Sequence, residues 1–174
     1  FANNTMKSIE IVDITTSNAA GITLDTTQAG KVAENFKAVT DLKLTTTTGT
    51  INVTGGKNIV AKATGAIAIK EDGDAKTAAT IEKVTIDGLA AASTIGGTVI
   101  GSTDNVDALK ELTVKNSTGA NTLGVITAVE TLKVNFDNSL STGALTLTDA
   151  KLKTLNVDAS GKESNVDFDT SSQI

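Results

Sequence analysis

A chain of 174 residues with 15 basic and 20 acidic side chains carries a net charge of −5 and a pI near 4.7, and every basic residue is Lys. That balance argues against nucleic acid, which is held by clustered Lys and Arg. The absence of Cys, His, Pro, Trp and Tyr excludes disulfides, thiol and imidazole chemistry and aromatic stacking platforms. Phe occurs only at 1, 36, 136 and 168, so the interior has to be built from Ile, Val, Leu and Ala, in thin layers rather than around aromatics. No apolar run approaches the roughly 18 residues of a membrane helix, and no membrane insertion is expected.

One six-residue word, apolar at its first, fourth and sixth positions, organises the chain. Its first copy is Met6-Lys7-Ser8-Ile9-Glu10-Ile11, and further copies start at 39, 81, 109, 129 and 152. Each predicts a strand, since alternation places its apolar residues on one face. Between copies run shorter alternating segments entered through Gly or a small polar residue: Gly21-Ile22-Thr23-Leu24, then Gly49 to Val53, Gly65 to Ile69, Gly143 to Leu147 and Asn165 to Phe168. From Gln28 to Ala38 the spacing of Val32, Phe36 and Val39 predicts a short helix, an insertion or end cover. The step of 42 residues between the second and third words contains a degenerate rung, Ile59-Val60-Ala61-Lys62-Ala63. A weaker helical turn is expected from Asp104 to Lys110, N-capped by Thr103.

Strand, turn and strand repeated at about 20 to 23 residues is the requirement of a parallel β-helix. The expected fold is therefore all-β, a parallel β-solenoid of about seven to eight coils, roughly 35 Å long at the ordinary strand spacing. An antiparallel sandwich is the competing architecture, because short strands with frequent turns read that way as well.

Candidate chemistry is sparse. Glu71, Asp72 and Asp74 alternate around Gly73 and are candidate Ca²⁺ ligands, although the loop holds only part of an EF-hand; a solvated turn is the competing reading. Asp87, Asp137, Asp158, Asp167 and Asp169 end strands, where stacked turns could converge on a cation or the residues could simply be turn formers. Thr45 to Thr48 with Thr50, and Thr146 with Thr148, invite comparison with ice-binding faces, but the outward positions of other words hold Glu10, Lys43, Lys133 and Asn156. A polysaccharide-cleaving enzyme would have only Asp, Glu and Lys to work with, and the expectation is that the chain is not an enzyme. Pairs such as Glu82-Lys83 and Lys110-Glu111 read as a solvated face that discourages edge aggregation.

At Val129-Glu130-Thr131-Leu132-Lys133-Val134 and Leu152-Lys153-Thr154-Leu155-Asn156-Val157-Asp158-Ala159-Ser160-Gly161 the chain resembles the repeat region of bacterial surface-layer proteins, such as the Campylobacter surface array proteins and the Caulobacter crystalline-layer protein. The resemblance is one of repeated word and composition from Met6 to Val157, without a single diagnostic motif. It implies a β-solenoid exported to the bacterial cell surface, tiling with copies of itself into a lattice, often with Ca²⁺ at contacts. Lipopolysaccharide anchoring would belong to a domain outside this segment. The calcium nonapeptide of β-rolls is absent. A leucine-rich repeat is similar at Leu109-Lys110-Glu111-Leu112-Thr113-Val114-Lys115-Asn116, but its repeat lengths would be irregular here.

The chain opens on Phe1 and ends on Ile174, and residues 1–174 are expected to be a single solenoid segment of a larger multi-domain surface protein. A solenoid stalk or passenger segment of an adhesin or phage fibre is the alternative. On this reading loops 70–78 and 101–108 face neighbours, Leu132→Asp collapses the fold, and Lys133→Asp is nearly silent.

Overall fold

β-branched and aliphatic residues at every second position form strands wherever one face can be buried. The computed structural model describes residues 10–26, 41–71, 80–99, 102–117, 121–137, 145–149, 151–159 and 168–169. These contain fourteen strands: β1 (Ile11–Thr16), β2 (Ile22–Asp25), β3 (Asp41–Thr46), β4 (Ile51–Thr54), β5 (Asn58–Lys62), β6 (Ile67–Lys70), β7 (Lys83–Asp87), β8 (Ser93–Ile95), β9 (Glu111–Lys115), β10 (Leu123–Thr127), β11 (Thr131–Asp137), β12 (Leu145–Asp149), β13 (Thr154–Asp158) and β14 (Phe168–Asp169).

Successive strands alternate between two seven-stranded sheets. Sheet 1 runs β1-β3-β5-β7-β9-β11-β13 and sheet 2 runs β2-β4-β6-β8-β10-β12-β14. Every described pairing is parallel, which rules out the antiparallel sandwich.

In sheet 1, Val12, Leu42, Ile59, Val84, Leu112, Val134 and Val157 stand opposite one another in a single row. Beside it runs Ile14, Leu44, Ala61, Ile86, Val114 and Phe136. In sheet 2 the corresponding row is Leu24, Val53, Ile69, Ile95, Val125 and Leu147. These rows merge into one aliphatic core, to which Phe136 contributes the largest fully buried side chain.

Two glycines show why the turns are built as they are. Gly21 (φ 75°) and Gly96 (φ 93°) adopt the left-handed conformation, and a Cβ would run into the carbonyl oxygen of Thr50 and of Ile126 respectively.

Five of the six words form strands of sheet 1, and Ile59 to Ala63 supplies β5 as expected. Two words need correction. The first was placed three residues early: Val12 and Ile14, not Ile9 and Ile11, lie opposite Leu42 and Leu44, and Ile11 is 67% exposed. The word at 129 is displaced by two residues, so that Val134 and not Leu132 opposes Leu112. A slip of two keeps each side chain on its own face, and Leu132 stays fully buried opposite Leu155.

The helix expected near residues 28–38 lies outside the described residues. The helical turn at Asp104 to Lys110 does not form. Two separate turns take its place, closed by Asn105 N–H to the Ser102 carbonyl (3.1 Å) and Leu109 N–H to the Val106 carbonyl (3.0 Å). Asn105, Val106 and Leu109 are all buried.

Candidate functional site

A two-residue alternation leaves polar side chains in two kinds of place: outside the sheets and in the turns between them. The buried ones among the described residues stand in the turns or at the strand ends beside them. Glu71 follows β6 and is 4% exposed; its carboxylate accepts from Thr80 N–H (2.7 Å), Ile81 N–H (2.6 Å) and the Thr80 hydroxyl (3.0 Å). Burial pushes its carboxyl above the usual range, against the pull of the Ile81 and Thr80 donors. Glu71 thus ties the end of β6 to the residues that lead into β7. Asp72 and Asp74, its partners as candidate Ca²⁺ ligands, lie outside the described residues.

Other buried polar groups do the same work. Asn105 accepts from Gly97 N–H and donates to the Val99 carbonyl (both 3.1 Å), which turns the side chain inward, not toward a neighbour as expected for the 101–108 loop. Asp149 accepts from Val129 N–H (3.0 Å) and Lys151 N–H (2.6 Å). Ser93 stands in an otherwise aliphatic position of sheet 2, accepting from Ile67 N–H (3.0 Å) and donating to the Ala91 carbonyl (2.9 Å). The Thr46 hydroxyl accepts from Gly49 N–H (3.1 Å), and Thr48 donates to the Ser17 carbonyl (2.6 Å). These Thr residues close turns rather than forming a flat rank. Among the described residues no buried side-chain polar atom lacks a partner.

The outer face of sheet 1 carries charge in alternation. Glu82 lies between Lys57 (3.4 Å) and Lys110 (3.0 Å), and Glu111 between Lys83 (3.5 Å) and Lys133 (3.4 Å). Asp87 lies between Lys62 (3.7 Å) and Lys115 (3.9 Å), and also accepts from the Asn116 amide (2.7 Å). Glu-Lys in the third word therefore faces Lys-Glu in the fourth, joining strands instead of near neighbours in sequence.

The Lys110 ammonium holds the Glu82 carboxyl below the usual range, and the Lys153 ammonium does so for Glu130. At Glu111 the Asn135 amide is the largest cause, ahead of Lys133. Of the strand-end acids proposed to share a cation, Asp87 and Asp137 are separated in register by Lys115, and Asp158 stands opposite Asn135. Asp167 lies outside the described residues, and Asp169 is placed in β14 opposite Thr146. Among the described residues no group of three or more acidic side chains is placed to hold a metal ion.

The outer face of sheet 2 is chemically different. Its central row runs Thr23, Asn52, Ala68, Thr94, Gly124 and Thr146, small and uncharged, before ending at Asp169 of β14. Lys70, at the rim of that face, pairs with Asp104 (3.5 Å).

The class so defined is an all-β chain of two parallel sheets, with inward aliphatic rows, turns fastened by buried polar side chains, and one outer face laced by ion pairs. Compared with known proteins, the chain matches no protein-family model, no curated protein and no solved structure.

Proposed function

We propose that this chain is a parallel β-solenoid of stacked coils serving as a structural segment of a secreted, self-assembling bacterial surface-layer protein. Each coil contributes one strand to each sheet, and the coils differ in length mainly at their turns. The observation that carries the reading is the continuity of the aliphatic rows from Val12 to Val157 and from Leu24 to Leu147, with charges outside joined from strand to strand. Such a stack is stiff, because bending it opens ladder hydrogen bonds and aliphatic contacts together.

The resemblance of the repeated word to surface-layer proteins supplies the location, the bacterial cell exterior, and the partners: copies of the chain and other domains of the same protein. Lipopolysaccharide anchoring would fall to a domain outside this segment. Ca²⁺ is retained as a candidate at lattice contacts, with Glu71 committed to its own turn and Asp72 and Asp74 remaining as candidates.

Electron microscopy of the purified protein with and without Ca²⁺ tests this reading. Ordered two-dimensional sheets are the expected result. Saturable binding of a glycan or receptor by a protein that never assembles would replace it with the adhesin or fibre stalk, and turnover on a polysaccharide panel would replace it with an enzyme.

A further inference from the structure

One part of the outer face of sheet 1 carries more Lys than carboxylate, in a chain whose net charge is −5. Lys57, Lys83, Lys110 and Lys133 lie at the same end of four neighbouring strands, β5, β7, β9 and β11, in or one residue before the row Asn58, Lys83, Glu111 and Lys133. Parallel strands lie about 4.8 Å apart, so the line offers one ammonium per strand over about 14 Å. Only Glu82 and Glu111 sit among these four Lys, each between two of them.

The Lys side chains are 46–67% exposed and the two Glu 27–29%, so the ammoniums stand outermost and the carboxylates lie beneath them. An ammonium has three N–H donors, and one carboxylate at 3.0–3.5 Å leaves others for a ligand. Two residues further along the strands runs a row of short uncharged side chains, Val60, Thr85, Thr113 and Asn135, bounded by Lys43 and Asp158. Beyond that row Lys62 and Lys115 alternate with Asp87 and Asp137, so charge balances there and the surplus is confined to the first line.

We propose that this line binds a linear acidic polysaccharide, with its carboxylates on Lys57, Lys83, Lys110 and Lys133 and its chain crossing β5 to β11. This deepens the reading above by giving the segment a ligand, and rests on it only for the location outside the cell. A uronic acid polymer suits the spacing, because a 1→4-linked pyranose advances by a length similar to the strand separation and carries one carboxylate per ring. The adjoining row suits sugar hydroxyls: the Thr113 hydroxyl accepts from the Asn135 amide (3.2 Å) and keeps its own hydrogen to donate. A nucleic acid is held by Arg forks or aromatic stacking, and the chain has no Arg, Trp or Tyr.

The test is calorimetric titration of the full chain with polygalacturonate at low ionic strength, each variant being checked for an intact melt. Wild type is expected to bind, less tightly as salt is added, and to ignore uncharged dextran. Lys110→Gln with Lys133→Gln removes half of the line and is expected to weaken binding about tenfold or more. Lys70→Gln with Lys151→Gln makes the same change in net charge away from this face, in β6 and between β12 and β13, and is expected to stay within about twofold of wild type.

Glu82→Gln with Glu111→Gln removes the recessed carboxylates, keeps every Lys and is expected to tighten binding. That variant also decides the matter should the Lys110 and Lys133 pair fail to fold. Folded wild type that does not bind, equal losses in the two Lys double variants, weaker binding by the Glu double variant, or tighter binding of DNA or poly-glutamate than of polygalacturonate overturns the proposal. Ordered sheets that form without taking up the polymer also overturn it and leave the surface-layer reading in place, whereas binding by a protein that never assembles keeps this site and removes that reading.

Discussion

The middle strands of the two sheets and the strands at their ends are made from the same residue types, yet only the middle ones are sealed. Leu42, Ile59, Val84, Leu112 and Val134 are each shielded by a strand on both sides, whereas Val12 and Val157 have one neighbouring strand among the described residues and remain partly open. An aliphatic row in a parallel sheet gains most from burial where it is flanked twice. The same sequence word therefore carries different weight according to its place in the order.

The largest test of that difference is an inward charge. Leu132→Asp sets a carboxylate among aliphatic side chains with no donor and is expected to cost more than about 4 kcal/mol, abolishing a cooperative melt. Val157→Asp at the open end is expected to shift the midpoint only slightly. Should the two melt alike, the contrast between middle and end would be wrong.

Truncation gives the next step down. Leu112→Ala is expected to cost about 2–5 kcal/mol, and Val12→Ala about 1 kcal/mol or less, by chemical denaturation at constant m-value.

Glu71 tests the turns. Glu71→Leu leaves the Thr80 and Ile81 N–H groups without their acceptor and is expected to cost about 1–3 kcal/mol. Glu71→Gln keeps an acceptor oxygen and carries no charge. Since burial raises the carboxyl in the folded state, that state holds its proton more tightly than the unfolded one, and stability from this group falls as pH rises through the ordinary carboxylate range toward the raised value. Melts of Glu71→Gln and wild type between about pH 4 and pH 7 should therefore move in the variant's favour as pH increases. Glu82, Glu111 and Glu130 have the opposite sign. Their carboxyls are lowered, so their stabilisation is present above the ordinary range and is lost as pH falls through it toward the lowered values.

The smallest effect is on the outer face. Lys133→Asp removes one of the two Lys partners of Glu111 and places a second carboxylate opposite it, at an expected cost of about 0.2–1 kcal/mol, reduced by salt. That is more than the near silence expected when Lys133 was read as merely solvated.

What sequence reading missed follows from how local its pattern is. The run Ile9-Glu10-Ile11-Val12-Asp13-Ile14 satisfies the six-residue word at its own start and ends a second match begun at Met6, so the first word could be set three residues early. β8 was not among the runs named because Ser93 occupies an aliphatic position, and β10 because Gly124 and the adjacent pair Val125-Ile126 interrupt the alternation. Glu71 looked like a cation ligand because its neighbours are acidic. Its partners Thr80 and Ile81 are nine and ten residues away, beyond any local motif.

The amino-acid order by itself determined that this chain is all-β, that its strands bury one aliphatic face, and that its interior lacks an aromatic centre, because strand periodicity and residue type act within a few positions. The tertiary structure decided which strand lies beside which, where register slips by two, and which charges meet. Those outcomes depend on residues 16 to 34 positions apart, as at Ile51 with Ile67 and Lys70 with Asp104, brought together only when parallel strands pair. Loop closure costs little more for the longer separation than for the shorter, so turn length leaves the pairing free to be chosen by the rows it completes.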